Sequence, residues 1–304
     1  MFITKRLLTI TITVLLSTAT GFGGAIVPGF DSISDGRNDD GTYTTGGCNN
    51  SVDGGTCPGT LVPIGFDVDF FGTITNSLYI NTNGNVTFDA PLATPTPFTL
   101  VDGFSEIIAP FFADVDTRNP TSGVVSFGDG LSGGFSAFGV NWPGVGYFSQ
   151  EADKLDSFQL ILVDRSDTGA GNFDLIFNYG SMQWETGDGS FGTDGLGGFS
   201  AIAGFSDGSG DPANSFELPG SESPGSLIDG GPDALATNSL NSDVEGRYIF
   251  NFRDGAPVSL TTPEPGTFLL LLAGLFGLFH RGAVHAKLRL KRHTVTPANR
   301  NGLS

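Results

Sequence analysis

The sequence predicts an all-β protein: one antiparallel, sandwich-like domain with long Gly/Asp-rich loops, preceded by a signal peptide and followed by a hydrophobic helix. Apolar residues in the middle of the chain recur with a period of two, which is the periodicity of strands. No stretch between residues 30 and 260 has the pattern of an amphipathic helix of ten or more residues. Glycine accounts for 46 of the 304 residues, as expected for short strands joined by tight turns, and 27 Phe supply material for a core.

The predicted strands follow one another from residue 61 to residue 252. Residues 173–179 alternate apolar and polar side chains, and residues 157–163 form a more fully buried strand. Further strands are predicted near 61–71, 107–113, 122–127, 136–142, 199–205 and 246–252, with glycine turns at 128–130 and 187–189. Residues 26–60 and 207–243 are polar and poorly patterned, and we expect surface loops there, some of them partly flexible.

One hairpin can be assigned in detail, between residues 78 and 88. A three-residue loop of Thr82, Asn83 and a left-handed Gly84 pairs Ile80 with Val86. A two-residue loop would instead place apolar Leu78 opposite the charged Asp89. The pattern therefore favours the longer loop.

Charge divides the chain into an acidic middle and basic ends. The formal net charge is −18, yet residues 25–262 carry six basic side chains against 31 acidic ones, a net −25. This excess excludes nucleic acid as a partner, because phosphate backbones require a basic surface. The predicted organisation is a signal peptide (1–25), a Gly/Asn-rich segment (26–59), the β domain (60–254), a linker (255–262), a sorting signal (263–292) and a tail (293–304).

The N-terminal end has the three parts of a secretory signal peptide. Lys5 and Arg6 precede an apolar run from Leu7 to Leu16, and small residues follow. A buried strand is the alternative. Export would place Cys48 and Cys57 in an oxidising compartment, where they would most simply form a disulfide; two free thiols or a metal site are the other possibilities.

The C-terminal end combines Pro263-Glu264-Pro265, an apolar stretch at residues 268–279 and a basic cluster. As a helix the apolar stretch is about 18 Å long, against a hydrocarbon core of about 30 Å, so it would be a marginal permanent anchor. This ordered trio resembles the PEP-CTERM sorting signal of Gram-negative bacteria. The resemblance implies a transient inner-membrane anchor, cleavage near the motif by a membrane-embedded exosortase, and delivery to the cell surface or the extracellular space. The tail is longer than usual for this signal, so a plain single-pass anchor is the alternative.

Five ordered blocks between residues 60 and 252 resemble the NIDO domain, first named in nidogen. They are IAPFFADVDTR (108–118), VNWPGVGYF (140–148), DKLDSFQLILV (153–163), FNYGSMQWETG (177–187) and AIAGFS (201–206). The resemblance implies an extracellular β-rich module of matrix and adhesion proteins with no known catalytic role. Asn141-Trp142-Pro143 and the acidic loop at 207–243 depart from the family pattern.

Acidic pairs are the candidate metal ligands. Asp114 and Asp116 lie on one face of an extended segment, and Asp67 and Asp69 could approach from a neighbouring strand, so Ca²⁺ is the one cofactor that the sequence suggests. The alternative, which we favour, is that Arg118 pairs with one of the carboxylates at a strand end.

Two tryptophans are the candidate ligand-binding aromatic residues. Trp142 and Trp184 are the only tryptophans in the chain, and each has aromatic neighbours in its block. They could stack on sugars, although core packing is the favoured interpretation.

All three histidines lie beyond residue 279, so the exported part lacks the groups for Ser-His-Asp catalysis or a histidine-zinc site. We therefore expect a secreted, surface-sorted, non-catalytic adhesion or matrix protein that contacts extracellular polysaccharide or matrix proteins. One alternative is a lectin or a carbohydrate-active enzyme with a carboxylate pair. The other is a self-associating structural coat component.

Overall fold

The computed structural model describes residues 24–45 and 59–258, and strands carry most of the regular structure. Within these ranges the helices are three 3₁₀ turns of three residues each, and none is long and apolar enough to cross a membrane. The strands are β1 (Ile33–Ser34), β2 (Val62–Phe70), β3 (Thr73–Asn81), β4 (Asn85–Thr87), β5 (Ile107–Phe112), β6 (Val115–Asp116), β7 (Ser126–Ser132), β8 (Phe135–Tyr147), β9 (Glu151–Asp164), β10 (Phe173–Tyr179), β11 (Ile202–Ser206), β12 (Ser215–Glu217), β13 (Arg247–Arg253) and β14 (Ala256–Pro257).

These strands form two antiparallel sheets, which confirms the predicted fold class. The first sheet has the order β1-β7-β8-β9-β10-β13-β14, with β6 added beside β8. The second has the order β12-β11-β5-β4-β3-β2. Aromatic pairs join the sheets across the core: Phe205 to Phe250 with ring centroids 5.2 Å apart, and Phe111 to Phe158 at 5.4 Å. Such pairs contribute beyond the apolar area that they bury.

The hairpin between β3 and β4 has the predicted loop and register. Ile80 faces Val86, and Gly84 has a φ of +72°. A side chain at Gly84 could not be accommodated, because a Cβ atom would lie 2.8 Å from the carbonyl carbon of Phe111 and closer still to its oxygen. Glycine is therefore required here both for its backbone conformation and for the close approach of β5.

The prediction of a turn at residues 128–130 is wrong, because these residues lie inside β7. The chain reverses later, at Gly133 and Gly134, which both have positive φ. The glycines within the sheet have a packing role instead. A Cβ on Gly130 would lie 2.6 Å from the ring of Phe30, and one on Gly139 would lie 2.5 Å from the same ring. Glycine in these two strands leaves the space that the Phe30 side chain fills.

Residues 24–45 are part of the sandwich, rather than a decorating loop. β1 pairs with β7 of the first sheet, and Thr42 forms a bridge to Asn81 of the second. Ala25 is buried, and its N–H donates to the carbonyl of Tyr179. Ala25 therefore already contacts the folded module, while the predicted end of the signal peptide stays a prediction.

A ladder of polar side chains, three of them buried, holds this N-terminal segment against the first sheet. Gln159 donates to Asn141 (2.7 Å) and accepts from Asn178 (2.9 Å), whose side-chain oxygen in turn accepts from Arg247 (2.8 Å). The four residues are cross-strand neighbours on β8, β9, β10 and β13. Asn141 also donates to the carbonyl of Phe30, so the ladder satisfies main-chain groups of the segment.

Residues 207–243 consist mostly of turns and loops, as predicted, but they also contribute to the sheet and to the core. The segment supplies edge strand β12 and buries a series of apolar side chains. These are Leu218, Leu227, Ala234, Leu235 and Leu240. The module also continues past the predicted boundary at 254, because β14 pairs with β13.

Several predictions concern parts of the chain outside the described residues. They are the signal peptide up to residue 23, the disulfide between Cys48 and Cys57, the motif Pro263-Glu264-Pro265, and the hydrophobic helix that follows it.

Candidate cation site

Three carboxylates meet where β5 ends and the N-terminal segment crosses the module. Asp114 lies between β5 and β6, and Asp39 forms an antiparallel bridge with Asp116 of β6. This bridge brings Asp39 and Asp40 to Asp114. Each of these three acids offers an oxygen within 4.8 Å of the others, and no other group of three or more acidic, His or Cys side chains in the described parts of the chain does so. We call Asp39, Asp40 and Asp114 the acidic cluster.

Arg118 is the counter-charge beside the acidic cluster, and it binds Asp116 through both its Nε and its Nη2. Its Nε lies 3.0 Å from Asp116 Oδ1, and its Nη2 lies 2.6 Å from Asp116 Oδ2 and 2.7 Å from Asp39 Oδ2. Asp116 also accepts from the backbone N–H groups of Arg118 and Gln150. Of the two carboxylates in the Asp114–Asp116 pair, Asp116 is therefore the one that pairs with Arg118, the arrangement favoured from the sequence, and it is not a member of the cluster.

Asp114 is the least satisfied acid of the group. Its side chain is 0% exposed, and neither carboxylate oxygen has a hydrogen-bond partner. The loop at Gly187 packs so closely that a Cβ there would lie 2.8 Å from the Asp114 carboxyl carbon. Burial, reinforced by repulsion from Asp40, Asp39 and Asp116, raises the Asp114 pKa to about 8. Without a bound cation the carboxyl group is thus largely protonated at neutral pH.

Asn83 of the hairpin loop contacts one member of the cluster, Asp40, and the residue that follows another, Val115. Its Nδ2 donates to Asp40 Oδ1 at 2.9 Å, and its Oδ1 accepts from the N–H of Val115 at 3.0 Å. Asp40 is half-buried, so the cluster reaches solvent on its side. Burial raises the Asp40 pKa, although the bond from Asn83 opposes the shift.

Asp67 and Asp69 do not join Asp114. They lie on β2, at the far edge of the second sheet, where Asp67 is exposed and Asp69 accepts from the N–H of Gly72. The proposed contribution from a neighbouring strand is therefore wrong. Sequence reasoning missed Asp39 and Asp40, because they lie in a segment read as loop; their adjacency was the only signal available.

Both tryptophans are core residues with satisfied indole groups. Each is 0% exposed; Trp142 Nε1 donates to Thr82 O and Trp184 Nε1 to Val145 O, both at 3.0 Å. Trp142 stacks on Phe158 at 5.0 Å. A groove of about 410 Å³ borders Trp142, but the ring itself is covered, so neither indole can serve as a sugar-stacking platform.

Asp156 is a second buried acid, outside the cluster. Its Oδ1 accepts from the N–H groups of Gln183 and Trp184, while its Oδ2 has no hydrogen-bond partner. Burial raises its pKa well above the usual value, and the charges of Asp229 and Glu185 act in the same direction. It provides a matched comparison for Asp114.

The chain belongs to the nidogen-like domain family. The family profile matches residues 76–134 and 132–254, and the PEP-CTERM protein-sorting motif matches residues 261–281. Both resemblances stated from the sequence are confirmed. They describe an extracellular type of module joined to a sorting signal.

The similar proteins are long animal proteins. Alpha-tectorin of Mus musculus is 33% identical over 214 residues, covering 62% of this chain and 9% of that protein. Nidogen of Drosophila melanogaster is 28% identical over 145 residues, covering 40% of this chain and 10% of that protein. This chain thus spans about a tenth of the length of the curated relatives it matches. No solved structure matches it significantly.

Proposed function

We propose that the protein is a non-catalytic adhesion or extracellular-matrix protein that acts at the cell surface. The observation that carries this proposal is the presence of a nidogen-like domain and a PEP-CTERM sorting motif in one chain. The motif implies processing by an exosortase, which is a membrane protein. In this scheme the apolar segment after Pro263-Glu264-Pro265 anchors the precursor in the inner membrane until cleavage releases the module.

A non-catalytic role agrees with the chemistry of the module. Residues 25–262 contain no histidine, so the usual general base of nucleophilic catalysis is missing. The cluster at Asp114 is flanked by Arg118 and covered by the loop at Gly187, which leaves little room for a substrate. The net charge of −25 suits a partner that is cationic, neutral, or bridged by cations.

The proposal can be tested in cells that produce the protein with a triple change of Pro263, Glu264 and Pro265 to alanine. The matched control is Pro297→Ala, which removes a proline from the tail outside the motif. Mass spectrometry of surface material should find wild-type and control chains that end near residue 263, and the triple variant should remain in the membrane fraction.

The same cells test adhesion. Washed cells carrying wild-type or control protein should retain more extracellular polysaccharide than cells carrying the triple variant or none. Surface protein that retains Ser304 would contradict the processing step. If the wild-type protein is sorted normally but its cells retain no more polysaccharide than cells with the triple variant or with no protein, the adhesion role is contradicted.

A further inference from the structure

The acidic cluster contains a fully buried carboxyl group, that of Asp114, whose oxygens have no hydrogen-bond partner. The neighbouring guanidinium of Arg118 forms ion pairs with Asp116 and Asp39. Buried carboxylates normally have a cation or several hydrogen-bond donors nearby. Asp114 has neither within hydrogen-bond distance, because both of its oxygens are buried without a partner.

The distances in the cluster fit a calcium ion. Ca²⁺ binds six to eight oxygens at 2.3–2.6 Å, so two oxygens that share one ion are at most about 5 Å apart. The cluster oxygens lie within 4.8 Å of one another. Each of the three carboxylates supplies at least one oxygen, and half-buried Asp40 leaves a side on which water can complete the coordination.

We propose that Asp39, Asp40 and Asp114 bind a divalent cation, Ca²⁺, which fastens the N-terminal segment to the core of the module. Two ligands come from the segment that crosses both sheets, and the third comes from the turn between β5 and β6. The bound ion therefore links parts of the chain about 75 residues apart. Extracellular modules bind Ca²⁺ with dissociation constants of about 0.1–1 mM. This inference does not depend on the adhesion role, since it concerns only the cluster.

The test is thermal unfolding of the full-length protein in non-ionic detergent at pH 7.5, with CaCl₂ or with NaCl of equal ionic strength. At a Ca²⁺ concentration ten times the dissociation constant, the wild-type Tm should rise by about 3–6 °C. Isothermal titration with CaCl₂ alone should give a saturable curve with one site.

Asp114→Asn should abolish both the Tm shift and the titration signal. The variant should fold, because an amide can donate to the two remaining carboxylates, and near-ultraviolet circular dichroism checks this. If it does not fold, Asp40→Asn at the half-buried side should weaken Ca²⁺ binding at least tenfold.

Two matched controls should keep the wild-type response. Asp156→Asn removes another buried acid with an unpartnered oxygen, and Asp67→Asn removes an exposed acid on β2. The proposal is overturned if wild-type protein shows no Ca²⁺-dependent shift up to about 10 mM, tenfold above the expected range. It is also overturned if folded Asp114→Asn protein responds as the wild type does.

Discussion

Replacing Gly84 by alanine should destabilise the module far more than the same replacement at Gly197. The two glycines have nearly the same left-handed backbone, with φ of +72° and +76°. An L-residue in this region costs about 1–2 kcal/mol. At Gly197 nothing lies within 4 Å of the added Cβ, so the conformational cost should be the whole effect.

At Gly84 two further costs arise. The Cβ would overlap the backbone of Phe111, and forcing extra atoms into a packed site costs about 1–3 kcal/mol. Moving the hairpin away from β5 would also weaken the 3.2 Å hydrogen bond from the Phe111 N–H to the Gly84 carbonyl, worth about 1 kcal/mol. We therefore expect the free energy of unfolding to fall by roughly 3–6 kcal/mol in Gly84→Ala, against about 1–2 kcal/mol in Gly197→Ala.

Urea unfolding of the exported protein measures both variants. Fluorescence of Trp142 and Trp184 should report the transition, because both rings are buried in the native state. The Gly84→Ala variant should also show weaker Ca²⁺ stabilisation, since the displaced loop contains Asn83, which contacts Asp40. Equal losses for the two variants would refute the argument that close approach to β5, rather than backbone conformation, fixes glycine at position 84.

Two further predictions concern burial and packing. Burial holds the Asp156 pKa well above its unfolded value, and the charges of Asp229 and Glu185 act in the same direction. Ionisation of Asp156 therefore opposes folding. The free energy of unfolding should fall as pH rises from about 4 towards the folded pKa, by up to about 1.4 kcal/mol per pH unit. Asp156→Asn should make the unfolding free energy, measured by urea unfolding at pH 5 to 8, depend less on pH. The same pH dependence in wild type and variant would contradict this prediction. Gly139→Ala should cost about 1–3 kcal/mol because its Cβ would collide with Phe30. The double variant Gly139→Ala/Phe30→Ala should be no less stable than Phe30→Ala alone, because the ring that the Cβ would meet is gone. If the two stability losses add instead, the collision is not the cause.

Local patterns were sufficient to predict much of the sandwich. Strand β10 has the predicted bounds, because strict alternation of apolar side chains marks both its ends. The β3–β4 register followed from the choice of loop that keeps apolar residues opposite one another. The same reasoning failed at Gly128 and Gly130, because a glycine that makes room for Phe30 cannot be told from a turn glycine by composition alone.

The candidate site depended on contacts that no local pattern contains. Asp114 was identified from its block, but its partners Asp39 and Asp40 lie some 75 residues earlier in a polar segment. The bridge between Asp39 and Asp116, together with the contacts of Asn83, brings them together. The polar ladder through Gln159 was missed for the same reason, since its members lie on four different strands.

The outer strands of the two sheets limit how copies of the module can associate. β1 and β14 are two residues long and β12 is three, so each offers too few free main-chain groups to template another chain. β2 is longer, but its pairing with β3 is irregular between Pro63 and Val68, and exposed Asp67 lies within that irregular stretch. A bulged, charged strand with a proline resists edge-to-edge addition. Crowded molecules at a cell surface should therefore stay individually folded instead of growing into amyloid-like fibres, and any ordered coat would have to form through loops and sheet faces.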